Sequence, residues 1–297
     1  MNNLPPKTAA ETAAARIRST LGLGGAPIPI GIILGTGWGD VLALDDYREM
    51  DMKTQVPGFE TLCELEGHHR KVAYGLLNGV PVVAQRGRVH LNEEPLVSDG
   101  DRTRAMVRLQ TEMLIKLGVK TIILTCAAGA LYREVSPSSA ARMAGDRIRV
   151  GDICVIDGFV TEFMPRRALT GGEFKSPEDT LDPGLREIAL SEAHTGDLRA
   201  LSGGHVMLRG PAFEGRKYDK PFLASTGATV VGMSVLPEAD VVALYPDVKA
   251  LGLAFVTNDA TEEHSHEENQ RRAKQAADKL GDYLGRIVSR IASAESK

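Results

Sequence analysis

The sequence predicts an α/β fold of one domain, a mixed central β-sheet flanked by helices. Three observations carry this. Short β-rich runs alternate with helical patterns along the chain, no internal repeat or linker-like composition divides it, and the C-terminal segment carries a long one-sided apolar stripe. The chain has 297 residues, 43% hydrophobic and 25% charged, enough to bury a sizeable core. One domain is therefore expected over residues 1–297.

The elements follow in order. Residues 9–22 (AAETAAARIRSTLG) read as an N-terminal helix that Gly22 and Gly24 stop. Segments 29–34, 71–77, 80–85 and 121–125 read as strands, and Asn78-Gly79 between the second and third marks a hairpin. Residues 104–118 space Met106, Val107, Leu109, Met113, Leu114 and Leu117 as an amphipathic helix. Further strands are expected at 152–156, 205–209, 229–232 and 251–257, and helices at 183–194, 215–227 and 236–246. The last helix, 265–294, places Ala273, Ala276, Ala277, Leu280, Leu284, Ile287, Val288 and Ile291 on one face. Ser265 and Glu268 match a capping box at its start, which puts His266 in the first turn. Segment 132–147 is polar and irregular and is expected to be a mobile surface loop. Segment 156–163 also reads as loop; its Phe159 and Phe163 either mark a contact surface or pack in their own core.

Composition narrows the function. A formal net charge of −4 argues against nonspecific nucleic-acid binding, which needs a strongly basic surface. Cys63, Cys126 and Cys154 are odd in number and far apart, matching neither a disulfide framework nor a Cys-x-x-Cys metal site. A reducing, cytoplasmic location is expected. There is no basic n-region followed by an apolar h-region at the N-terminus, and no stretch is apolar enough to span a membrane.

Five stretches carry potential chemistry. GTGWGD (35–40) ends a strand in a glycine turn that lacks both the third glycine of a dinucleotide fingerprint and a P-loop lysine. Thr36 there suits a small oxyanion, or the turn is simply tight and empty. In RGRVHLNEE (86–94), Arg88 and His90 are two apart and project to one side of extended backbone, with Glu93 near enough to orient His90. They grip a phosphate, or they end a solvated strand. LTCAAGAL (124–131) ends a strand in small residues that permit close approach of a ligand or of a helix. Phe213-Glu214 sets an aromatic face beside a carboxylate, suited to a flat heterocycle with N–H donors; Ser234 further on reads as an N-cap. Finally Thr257-Asn258-Asp259 ends an apolar strand in an amide able to donate and accept. His264 and His266 lack the further His or Cys of a metal site, so no metal is expected.

Taken in order, GTGWG (35–39), GHHRKV (67–72), GRVHLNE (87–93), TCAAGAL (125–131), GPAFEG (210–215), VGMSVLPEADVVAL (231–244) and TNDA (257–260) closely resemble the trimeric-type purine nucleoside phosphorylase and methylthioadenosine phosphorylase family. The resemblance runs from about residue 9 to the C-terminal helix. It implies a nucleoside phosphorylase fold and phosphate-dependent cleavage of a purine nucleoside to free base and ribose 1-phosphate. It also implies a homotrimer, with phosphate as co-substrate and no cofactor. By position it assigns phosphate to Thr36, His68, Arg88, His90, the backbone of Ala127, and Ser234. The base falls to Phe213, Glu214 and Asn258, the ribose to Met233 and Asn92, and the 5′-hydroxyl to His266. His90, Glu214 and Asn258 would then be the catalytic set. Asn258 stands where 6-oxopurine enzymes of the family carry asparagine and the methylthioadenosine branch carries aspartate. The resemblance therefore points to inosine- or guanosine-type substrates. The sequence departs at Thr36 (usually serine) and Asn92 (commonly tyrosine), so the ribose wall is altered.

Overall fold

A computed structural model describes residues 6–65, 68–93, 101–131, 147–163, 168–208, 210, 214–260 and 265–295. The strands are β1 (Ile30–Leu34), β2 (Asp45–Asp51), β3 (Lys71–Leu77), β4 (Val80–Arg86), β5 (Thr121–Ala130), β6 (Ile153–Val160), β7 (Ala200–Met207), β8 (Val230–Gly232) and β9 (Lys249–Asn258). The helices are α1 (Pro6–Thr20), α2 (Met52–Gln55), α3 (Asp101–Lys116), α4 (Pro183–Thr195), α5 (Asp219–Ser225), α6 (Leu236–Val242), α7 (His266–Gln275) and α8 (Ala277–Glu295).

The strands form one mixed sheet ordered β2-β3-β4-β1-β5-β8-β7-β6-β9. β9 also pairs in parallel with β5, so β5, β8, β7, β6 and β9 close on themselves. β1 is parallel to both β4 and β5, and all five of its residues are buried, which explains its unbroken apolar run. The β3–β4 hairpin turns at Asn78 (φ 52°) and Gly79 (φ 79°), the left-handed pair that such a two-residue turn requires. One apolar layer joins α1, α3 and α6 to the sheet, and another joins α4 and α8 to it. Within the second, Leu280, Leu284, Ile287, Val288 and Ile291 of α8 are buried, each contributing about 1.5–3 kcal/mol relative to exposure. None of the described helices is long and apolar enough to cross a membrane.

Several expectations are corrected. The N-terminal helix is not 9–22 but ends at Thr20, because Gly22 (φ 62°) reverses the chain. Leu23 N–H reaches back to Arg18 O at 2.9 Å and Gly22 N–H to Ser19 O at 3.3 Å. The C-terminal helix 265–294 is two helices, α7 and α8, separated at Ala276. α7 packs Ala273 on the glycine turn, and α8 packs on the sheet and α4 within the same apolar layer. The capping box holds at its first half: Ser265 Oγ accepts from Glu268 N–H at 3.2 Å. Residues 156–160 belong to β6 and are not loop; Phe159 is buried there, and Phe163 packs edge-on against Phe222 at 5.9 Å. Ser234 does not cap α6, since Val235 occupies that position with φ 76°. The helix of 215–227 shrinks to Asp219–Ser225, and the strand of 121–125 runs on to Ala130. Most of 132–147 lies outside the described residues.

Candidate active site

A cleft of about 280 Å³ opens at the carboxyl ends of β1, β5 and β9, where parallel strands leave backbone free to meet a ligand. Its floor is the glycine turn after β1. A β-carbon at Gly35 would stand 2.6 Å from Thr125 O, and one at Gly37 (φ 79°) would stand 2.1 Å from Ala273 Cβ. The alternating glycines are thus the condition for this turn to lie between β5 and α7. Buried Trp38 pins it further by donating Nε1–H to Cys126 O at 2.9 Å. Thr36 is left facing the cleft.

Beside Thr36 stand His68 and His90, and with both rings neutral their contacts match the following pattern of protons. Arg88 N–H donates to His68 Nδ1 at 3.1 Å, so that nitrogen is bare. His90 Nδ1 lies 3.3 Å from Met233 O, an acceptor, so that nitrogen carries hydrogen. His68 Nε2–H then donates to His90 Nε2 at 3.2 Å, with Thr36 Oγ1 3.4 Å from the same His68 nitrogen. An anion entering here meets the Thr36 hydroxyl, and it gains a second donor by drawing the His68 Nε2–H away from His90. Glu93 does not orient the His90 ring. It accepts the backbone N–H of His90 at 2.6 Å and pairs with buried Arg70 at 2.6 Å, which fixes the turn carrying His90.

Arg88 lies behind this wall, fully buried. Nη2 donates to the carbonyls of Ile33, at 3.2 Å, and Thr125, while Nη1 stands 3.2 Å from Glu238 of α6. The last contact pairs charges without hydrogen-bond geometry, so Nε, Nη1 and both Glu238 oxygens have no hydrogen-bond partner. Burial, aided by the same charge, drives the pKa of fully buried His205 down to about 3 and leaves that ring neutral. Ser234, Ala127 and Cys126 complete this end; burial pushes the Cys126 thiol up to about 12, so it is no nucleophile at neutral pH.

The opposite end offers a carboxylate and a carboxamide. Asn258, at the end of β9, is 2% exposed and its Nδ2 has no partner. It fits because Gly129 has no side chain: a β-carbon there would stand 2.7 Å from that nitrogen. Burial raises the Glu214 carboxyl above its ordinary value, and the ammonium of buried Lys220, 3.8 Å away, opposes that rise. Lys220 also donates to Asp259 O at 2.9 Å, which ties α5 to the chain after β9. Asn92 and Met233 line the cleft as well. Phe213 lies outside the described residues, and His266 is described only as the first residue of α7.

The sequence reading missed Lys220, Glu238 and Asn269. Lys220 is one charge among several in the expected helix 215–227. Glu238 follows a proline at a helix start, where acidic residues are common. Asn269 had a usable signal, since it stands four residues before Ala273 on the apolar stripe of the C-terminal segment.

Fold and cleft together define an α/β protein with a hydroxyl and two imidazoles at one end of its cleft and a carboxylate and a carboxamide at the other. A family model described as the phosphorylase superfamily matches residues 29–289, and the chain belongs to that superfamily. It is 29% identical over 232 residues to purine nucleoside phosphorylase 1 of Bacillus subtilis, covering 78% of this chain and 79% of that one. With purine nucleoside phosphorylase 1 of Geobacillus stearothermophilus the identity is 30% over 234 residues, 78% of each chain. The fold is similar to that of isoform 2 of Schistosoma mansoni purine nucleoside phosphorylase, crystallised with cytosine and ribose-1-phosphate. There the TM-score is 0.78 at 22% identity, covering 95% and 96% of the two chains.

Proposed function

We propose that this protein is a purine nucleoside phosphorylase acting on 6-oxopurine nucleosides of the inosine and guanosine type. The observation that carries the reading is the two-ended cleft: Thr36, His68, His90 and Ser234 at one end, Glu214 and Asn258 at the other. Phosphate held at the first end attacks C1′ of the sugar. The C1′–O bond forms as the C1′–N9 bond breaks, and the electron pair leaves with the purine. The sugar is cationic at the transition state, so phosphate beneath it is stabilising. Asn258 Nδ2–H meets charge building at N7 and the 6-oxygen, while Glu214 accepts from the N–H edge. Such donors and acceptors act because they are placed before charge develops. Phosphate is a co-substrate, and the proposed chemistry needs no cofactor or metal.

The assembly we propose is a homotrimer. Family similarity supports it, and Tyr218 just before α5 and Phe222 within it supply an apolar surface, being 72% and 59% exposed.

The 6-oxo preference rests on Asn258. An aspartate there accepts from a 6-amino group and repels a 6-oxygen. Asn258→Asp is expected to shift the ratio of inosine to adenosine turnover toward adenosine by about 1–3 kcal/mol, the cost of leaving a buried acceptor unpaired. Steady-state kinetics on both nucleosides measures this, and an unchanged ratio removes Asn258 from the base site.

A further inference from the structure

We propose that Asn269 is a sugar-binding residue of this cleft, whose carboxamide takes a hydroxyl of the substrate's pentose; this rests on the nucleoside reading above. Asn269 lines the cleft, is only 6% exposed, and its Oδ1 is buried without a hydrogen-bond partner. A buried carboxamide oxygen with no partner is costly, and sites built for a ligand are where that cost is retained. The position is also one where the helix calls for an apolar residue. Asn269 precedes Ala273 by one turn, and Ala273 packs against Gly37 of the glycine turn.

Which part of a nucleoside it meets follows from how α7 lies. At Ala273 the helix touches the turn that forms the anion end. At Arg272, Nη1 donates at 2.8 Å to the carbonyl of Thr257, the residue before Asn258. The helix therefore spans from the anion end to the ring end. Asn269, three residues from Arg272 and four from Ala273, faces what joins the two. Between an attacking phosphate and a purine, that is the pentose, and hydroxyls are its hydrogen-bonding groups. Asn92 bears a second buried oxygen without a partner in the same cleft, so two carboxamides await donors where the sugar would lie.

The test is a cycle between protein and substrate. Asn269→Ala and Asn269→Leu are assayed with inosine and with its 2′-, 3′- and 5′-deoxy analogues at saturating phosphate. With inosine, kcat/KM is expected to fall roughly 10- to 100-fold, as for a site that loses a hydroxyl partner. With the one analogue that lacks the hydroxyl Asn269 holds, the same substitutions should change kcat/KM less than about 2-fold. Equal losses on all four substrates, or no loss on inosine, overturn the proposal. Thermal unfolding separates a structural role. Asn269→Leu removes a buried unpaired oxygen, so its Tm should hold or rise while activity falls, whereas a marked fall in Tm together with equal losses marks a merely structural residue. If the native protein cleaves none of the four substrates with phosphate present, the nucleoside reading itself has failed and takes this inference with it.

Discussion

Arg88→Met is expected to destabilise the protein by about 3–5 kcal/mol, the cost of stripping the partner from a buried charge. Arg88 is fully buried and Glu238 is 1% exposed, so the stranded carboxylate has no water to turn to. The guanidinium also satisfies the carbonyls of Ile33 and Thr125, at the ends of β1 and within β5. Its loss therefore loosens the strands that carry the glycine turn. The double substitution Arg88→Met with Glu238→Leu should recover most of that stability, since apolar replacements of a buried pair are often neutral or better. Phosphate saturation should not recover, because the positive charge behind the anion end is gone. Denaturant midpoints and phosphate KM measured on the three proteins decide this. A single variant within about 1 kcal/mol of native, smaller than any loss expected for an unpaired buried charge, would show the pair to be relaxed by water. Normal phosphate KM in the double variant would remove Arg88 from anion binding.

Glu214→Ala should lower kcat/KM for the nucleoside about 10- to 150-fold, the range for losing a hydrogen bond to a charged group. The accompanying pH effect is more diagnostic. Glu214 must be ionised to accept from the base. Activity is therefore present above its pKa and is lost as pH falls through it. Burial raises that pKa and Lys220 opposes the rise. Lys220→Met removes the opposing charge, so the acid limb of the kcat/KM profile should move to higher pH. An acid limb that stays in place would mean that another group controls it. A purely structural role for Lys220 predicts lower activity at every pH with no shift.

How far these features were legible in the sequence depended on whether local pattern or tertiary packing decided them. The buried apolar run of β1, the Asn78-Gly79 hairpin and the stripe of α8 are local, and they stand where the pattern put them. β2 escaped notice because DDYREMD is an exposed, charged edge strand, with neither alternation nor an apolar run to betray it. The break at Ala276 has no glycine or proline to announce it. Phe159 lies in β6, where pairing with β7 and β9 overrides a segment that reads as loop. In the site, Thr36, His68, His90, Asn92, Glu214, Met233, Ser234 and Asn258 do converge on one cleft: Asn258 ends β9, Thr36, Met233 and Ser234 lie just past β1 and β8, and the others come from the segments before β3, after β4 and before α5. Arg88 showed its chemistry in sequence but not its depth, since only the fold brings Glu238 beneath it. Lys220 reaches Glu214 from α5, whose placement no local pattern reveals, whereas Asn269 had its signal in the stripe of the C-terminal segment.

In the proposed reaction, phosphate at the Thr36–His68–His90 end is the nucleophile. Incubating the purified protein with inosine, with and without inorganic phosphate, and identifying the sugar product tests it most directly. Hypoxanthine and ribose 1-phosphate should form in strict proportion, and only when phosphate is present. Release of hypoxanthine with free ribose at the same rate in phosphate-free buffer would make water the nucleophile and contradict the account.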